Sequence, residues 1–466
     1  LTGVMLAIVP FNWQVHDTHF VVAHLHYVLV GGFVFPVIAG LYYWTPQFTG
    51  RRSDRGLGKL AFWTVFAGFN LTFFVMHWTG LMGMPRRVYT SAAGLGWDLP
   101  NLVSSLGSFV LAFGFALVLL DMAVQWRFAP HTTRNPWRAG SLEWAMATPV
   151  TNYNFASLPR VDGRDPVCED ERLPARLAAG EGYLAGPTAP GQRETLAVEA
   201  LSGAPDHLIL LPGPSLVPLA AALALTGFAL CFLFGLYWPA AGLAALFLTA
   251  VLRWMWQSGL RADPQPVDIG RGERLLPQAG AAQPPGWWAM VFTLVFDATV
   301  LASLLFGYLF LLAVAPNWAP PPLIGLDWGI TALIAAGLGV LWLGAEGTVR
   351  ANRRGKAKAR GVAALAAAAG GLLAAAAFAL IPLKLAPPAS SHAYAACLMA
   401  LSVYAALHAG LAAIGAVFVA ARCRAGYVSP LRAGDPLILR LWCGFAALAG
   451  ATVLGAVFLP GWLAGA

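Results

Sequence analysis

The segment HDTHFVVAHLHYVL, residues 16–29, sets His16, Asp17, His19, His24 and His26 at the head of an apolar run and inside it. Imidazoles and carboxylates are metal and cofactor ligands as well as proton carriers. His24 and His26 stand one residue apart. On an α-helix a step of two residues turns about 200°, so the two rings leave opposite faces. From a regular helix they cannot share one metal ion, but each can serve a separate centre on its own side. The alternative is a pair of buried histidines bonded to neighbouring backbone. Ionisable side chains inside a membrane segment are functional candidates by default. With His16, Asp17 and His19 one or two turns away, the ligand reading is the stronger, and imidazole is a frequent axial ligand of haem iron.

Arg86 and Arg87 follow LMGMP. The pair is either a surface feature or a fixed clamp for carboxylates, since guanidinium is a planar fork suited to bidentate carboxylate binding.

The elements that must position these groups are membrane helices. Of 466 residues, 58% are hydrophobic and 11% charged, and mean hydropathy is +0.66. A soluble domain is nearer a quarter charged. The net charge of +8 is no nucleic-acid signal in such a chain, because Arg and Lys gather in cytoplasmic loops. The five cysteines, Cys168, Cys231, Cys397, Cys423 and Cys443, show no CxxC spacing and suggest neither a disulfide framework nor covalent haem attachment.

A spanning helix needs roughly 20 apolar residues. After a short opening piece, LTGVMLAIVP, which reads as the last two turns of a helix, ten stretches qualify: 18–45, 59–82, 102–127, 211–236, 239–257, 287–314, 327–348, 362–383, 392–421 and 438–460. Every second loop is basic: 46–58 with Arg51, Arg52 and Arg55, 128–210, 258–286, 349–361 and 422–437. These belong in the cytoplasm by the positive-inside rule. His16, Asp17 and the C-terminus then face outward, with Arg86 and Arg87 on that same side. Loops 315–326 and 384–391 are poor in cations. The polar, Pro- and Gly-rich stretch 128–210 separates three helices from seven and reads as a linker. The Ala-rich stretch 362–377 reads as a closely packed helix. The fold expected is an all-α polytopic membrane protein.

The segment HDTHFVVAHLHYVLVGGFVFPVIAGLYYWTPQFTGR, followed by LGKLAFWTVFAGFNLTFFVMHWTGLMGMPRRVYT, resembles subunit I of the haem–copper respiratory oxidases, over its last three helices. AGSLEWAMATPVTNYNFASLP is similar to that subunit's C-terminal tail, so the resemblance covers residues 1–160. It implies that His24 is the proximal ligand of the high-spin haem, where oxygen binds. His26 is then an axial ligand of the low-spin haem, which delivers electrons. His16 and Asp17 bind Mg²⁺, and Arg86 and Arg87 pair with haem propionates. His19 stands where the family has Tyr and takes no metal role. His77 is structural or lies on the propionate side.

The second half resembles subunit III of the same complexes, through GWWAMVFTLVFDATVLASLLFGYLFL and HAYAACLMALSVYAALHAGLAAIG. Residues 209–466 are then a seven-helix domain and 161–208 a cytoplasmic linker. Asp297 lies in the region where that family usually carries a membrane-buried Glu. His408 is expected to act as a hydrogen-bond donor in helix packing. The last helix lacks the family's His and Asp, so lipid contacts tied to them are not carried over.

The resemblance implies a terminal oxidase that reduces O₂ to water with electrons from cytochrome c, or from a quinol, and translocates protons. It implies two haems, of haem A type, and a copper ion whose three histidines belong to earlier helices. It also implies subunit II and other oxidase subunits as partners, lipid contacts and a bacterial inner-membrane location. A proton-coupled transporter with His24 and His26 as a relay is the rival; it leaves Arg86 and Arg87 unexplained, and no repeat links the two parts. The chain is expected to be the C-terminal portion of a fused subunit I–III polypeptide. Extending the reading frame upstream is expected to reveal helices bearing the missing histidines; helices without them would sink the fragment reading.

Overall fold

A computed structural model of the chain describes residues 1–52, 56–151, 154–161, 163–186, 193–211, 213–277, 284–315, 328–384, 389–390 and 392–464. Arg55, linker residues 187–192 and most of the loops expected at 315–326 and 384–391 lie outside them. The chain is helical and divides into two compact units, residues 1–187 and 188–466.

In the first unit the opening piece is not one helix end. It is two short helices, α1 (Thr2–Ala7) and α2 (Val9–Val15), broken where Ile8 takes extended backbone angles. Then come α3 (His19–Leu29), a π turn (Val30–Val34) and α4 (Phe35–Thr49), which together make one long apolar span. The π turn sits just before Pro36, which has no N–H to offer the preceding turn. α5 (Leu57–Leu81) and α6 (Asp98–Phe128) complete the three spans expected here. They pack through small residues, as membrane helices do without a hydrophobic drive between them. A Cβ on Gly107 of α6 would lie 2.6 Å from the Thr72 nitrogen of α5. A Cβ on Gly80 would overlap the Phe20 backbone of α3.

Residues 129–186 fold against the end of α4. Trp137 Nε1 donates to the Tyr43 carbonyl (2.9 Å) and Trp144 Nε1 to its hydroxyl (2.7 Å). The Arg52 guanidinium lies 4.2 Å above the Trp137 ring. Short helices α7 (Pro166–Glu169) and α8 (Leu173–Ala178) add a small core of Ala145, Leu173 and Leu177.

The second unit begins with a β-hairpin, β1 (Arg193–Val198) against β2 (Pro205–Leu211), in antiparallel register Thr195↔Ile209. The first residues of the span expected at 211–236 are therefore hairpin and loop. The helix that remains, α9 (Val217–Leu233), is 17 residues long, short of a full crossing. The turn expected at 237–238 falls at 234–236, where Gly235 takes a φ of +70°. It leads into α10 (Tyr237–Trp256). A second hairpin, β3 (Val267–Gly270) with β4 (Glu273–Leu275), meets the first through Leu208 N–H to the Leu276 carbonyl, 2.9 Å. The linker thus ends in a small β element shared with the loop after α10.

Five long helices follow: α11 (Pro285–Val314), α12 (Trp328–Arg353), α13 (Ala357–Lys384), α14 (Ala393–Arg424) and α15 (Gly434–Ala464). Among the described residues nine helices are long and apolar enough to cross a membrane, and α9 is the shorter tenth. Tyr308, Ile334, Phe378, Leu398, Leu401 and Val453 form their core. Several run past their apolar stretch, so Arg350 and Arg353 of the basic loop 349–361 are the last turn of α12, where cations suit the helix dipole. Other cations near these helix ends are buried and paired. Arg422 bonds Asp435 (2.6 Å) and the Met255 and Ser258 carbonyls, while Arg360 bonds Asn352. The Ser429 hydroxyl and the Arg432 guanidinium hold the Asp263 carboxyl below the usual carboxylate range.

Close helix approach predicts the cost of added side chains. Gly107→Ala is expected to destabilise the detergent-solubilised protein by about 1–3 kcal/mol through overpacking. Gly242→Ala meets nothing within 4 Å and is expected to leave thermal stability unchanged or slightly raised; paired melting curves check both.

Candidate functional site

Thr18 starts α3 as its N-cap, its hydroxyl oxygen accepting the Phe20 N–H. That fixes where the helix begins and so which faces His24 and His26 use. Both lie on the regular part of α3 and are half-buried. His24 Nδ1 is 2.9 Å from the Thr2 hydroxyl of α1. His26 Nδ1 is 2.8 Å from the Val22 carbonyl one turn back, and its ring stacks on Phe73 of α5 at 4.1 Å and 12°. In each case Nδ1 has a chain partner and Nε2 has none among the described residues. That is the arrangement of a ligating histidine, whose inner nitrogen is oriented by a hydrogen bond while the outer one is open. The residues present fit two axial imidazoles on opposite faces of one helix.

The edge at the start of α3 is built by pairing backbone across the α2–α3 and α5–α6 connections. Thr18 bridges Pro85, His19 N–H donates to the Met84 carbonyl and Arg86 N–H to the Asp17 carbonyl, both at 2.9 Å. Asp17 and Arg87 take left-handed backbone, φ +57° and +66°. The Arg86 guanidinium bonds Asp17 Oδ1 at 2.6 Å, and Asp17 Oδ2 lies 3.9 Å from His16 Nδ1. Groups expected to serve a cation and haem carboxylates separately are therefore joined in one cluster. Arg87 is exposed beside it. His19 turns Nδ1 to the Thr79 hydroxyl, 3.2 Å.

His77 packs edge-on to Phe20 (5.0 Å) and Tyr27 (5.4 Å), with Nδ1 3.2 Å from the Phe74 carbonyl. Its Nε2 is buried without a hydrogen-bond partner. Among the described residues no three His, Cys, Asp or Glu side chains gather to hold a metal ion.

In the second unit Asp297 is not unpaired. Its Oδ2 lies 2.5 Å from His408 Nε2 across α11 and α14. His408 Nδ1 is 2.8 Å from the Tyr404 carbonyl, and its ring stacks on Trp442 of α15. The role expected for His408, a hydrogen bond in helix packing, is the one seen. Sequence reasoning passed over Asp121, an acid inside the apolar stretch 102–127, although an intramembrane acid is itself the signal. It also passed over Thr2 and Phe73, whose side chains carry no mark of their role.

Residues 1–110 match the family described as "Cytochrome C and Quinol oxidase polypeptide I". The chain is 48% identical over 168 residues to a protein of Alkalihalophilus pseudofirmus named "Cytochrome c oxidase subunit 1", covering 36% of this chain and 27% of that one. The protein of that name from Bacillus subtilis is 45% identical over 168 residues, with the same two shares. The "Probable cytochrome c oxidase subunit 1-beta" of Nocardia farcinica is 44% identical over 196 residues, 40% of this chain and 33% of that one. The chain spans about a quarter to a third of the length of these relatives. The match supports a haem–copper oxidase subunit I over the first part of the chain.

The part-buried Asp297–His408 pair gives a stability test. Removing one partner leaves the other without compensation, so Asp297→Leu or His408→Leu is expected to cost on the order of 3 kcal/mol. The double variant is expected to recover a large part of that loss, read as detergent-melting midpoints around the double-mutant cycle.

Proposed function

We propose that this chain is part of a terminal respiratory oxidase that reduces O₂ to water and translocates protons. The observation that carries the reading is the pair of imidazoles on opposite faces of α3, each with Nδ1 held by the chain and Nε2 open. Bound haem supplies the electron-transfer and oxygen-binding chemistry. His24 would hold the high-spin haem and His26 the low-spin haem, both taken to be haem A.

The chain's own residues orient, shield and neutralise. The Val22 carbonyl can only accept, so it holds the proton on His26 Nδ1 and leaves the Nε2 lone pair outward, while the Thr2 hydroxyl orients the His24 ring. Phe73 blocks rotation of the His26 ring by stacking on it. Arg86 and Arg87 stand where haem propionates would meet the outer edge, and fixed guanidinium charge there favours the ionised acids. His16 and Asp17 offer one imidazole and one carboxylate oxygen to a Mg²⁺ ion that keeps most of its water. The apolar helices exclude water from the path between the two centres.

Cytochrome c is the electron donor we favour over a quinol, because the relatives carry that name. Subunit II would receive it, together with other oxidase subunits and membrane lipids. The setting is a bacterial inner membrane with His16 and Asp17 on the outer side. Residues 209–466 are assigned to a subunit III-like assembly module without redox chemistry, and residues 161–208 to its linker.

Reduced-minus-oxidised haem spectra of membranes test the reading. His24→Ala is expected to remove the high-spin signal selectively, and His26→Ala the low-spin signal. Spectra unchanged in both variants would return the advantage to the transporter.

A further inference from the structure

A second polar site lies in the first unit, away from the histidines. Asp121 of α6 is 2% exposed. It sits within a membrane span whose mean hydropathy is 2.2. A carboxyl group at such a depth is costly and is seldom present without a task. Its partner is neutral: the Gln125 amide donates to Oδ2 at 3.0 Å. Among the described residues no Lys, Arg or His forms an ion pair with it.

Two features open space around it. A Cβ on Gly58 of α5 would lie 3.0 Å from Asp121 Oδ2 and 3.2 Å from Tyr42 Cε1, so the glycine lets acid and phenol approach the helix together. The Tyr42 hydroxyl is buried beside the Asp121 carboxylate and interacts with it; among the described residues it has no other partner. A carboxylate met only by one phenol and one amide keeps acceptor positions that water can fill. A half-open cleft of about 790 Å³ meets these groups; Tyr42, Asp121, Gln125, Lys59 and Arg52 form its polar part, and the rest of its wall is mostly apolar. Buried water needs a roomy site with two to four polar partners. Asp121, Tyr42 and Gln125 supply three.

We propose that Asp121, Tyr42 and Gln125 form an internal hydrated site that takes up and releases a proton, entered from the side of loop 46–58. The charged and titratable groups facing it are Tyr42 on α4, Lys59 on α5, Arg52 at the loop and Asp121 itself. Uptake converts the carboxylate and a hydronium ion to the carboxylic acid and a water molecule, and release reverses this. Water in the cleft carries the proton between Asp121 and the loop. Arg52 is held over Trp137 and bonded to the Pro136 carbonyl, and Lys59 is an exposed cation on the same cleft. The site does not depend on the haem assignment.

Infrared difference spectra of the full-length protein in its native membrane, recorded across a pH step, test this. A carboxylic acid C=O band is expected that Asp121→Asn loses and Tyr42→Phe shifts. Retention of every such band in Asp121→Asn overturns the proposal. Hydroxyl-radical labelling of the unmodified protein needs no variant: oxidation of Tyr42 is expected from a hydrated cleft. A Tyr42 as protected as the buried Tyr308 shows a dry site filled by chain or lipid and overturns the proposal equally.

Discussion

Inside an apolar bundle every polar group needs a partner, and an imidazole brings two nitrogens that each need one. A ligating histidine must leave one of them unmet until its cofactor arrives. The first unit is arranged around that tension. Thr2 and Val22 take the inner nitrogens of His24 and His26, while α1, α2 and the Thr18 cap fix the helix that carries them. The close passage of α5 past Phe20 brings Phe73 up against the second ring. The edge at the start of α3 follows from the same fixing, because backbone bonds from Met84 to His19 and from Arg86 to Asp17 seat the arginine on the acid.

The second unit meets the same demand differently. Asp297 and His408 satisfy each other across two helices, and Tyr404 and Trp442 enclose the ring. Both nitrogens of His408 are met by chain atoms, Nε2 by Asp297 and Nδ1 by the Tyr404 carbonyl. At one end of its helices Arg360, Arg422 and Arg432 are drawn inward by Asn352, Asp435 and Asp263. Loops and helix ends are cross-linked there, rather than merely solvated.

The spans and the opposed histidines were legible in the sequence because both follow from local period and composition. Helix ends were less so. Arg350 and Arg353 ended the apolar stretch but not the helix, since backbone bonding and the dipole tolerate cations in a last turn. Gly235 moved a turn by a few residues through its backbone freedom alone. The partners of the site were not legible, because Thr2 with His24, His26 with Phe73 and Asp297 with His408 join residues distant in the chain. Asp121 was readable as an acid in an apolar run; its cleft was not.

The π turn at Val30–Val34 sets the angular phase of what lies beyond it. Sixteen positions separate His26 from Tyr42, and an unbroken α-helix would set them about 160° apart around its axis. The one extra residue taken in by the wider turn subtracts about 100°, leaving the two side chains about 60° apart. Both then address α5, His26 through Phe73 and Tyr42 beside Gly58. A single surplus residue puts His26 and the polar cleft on one meridian of the same rod.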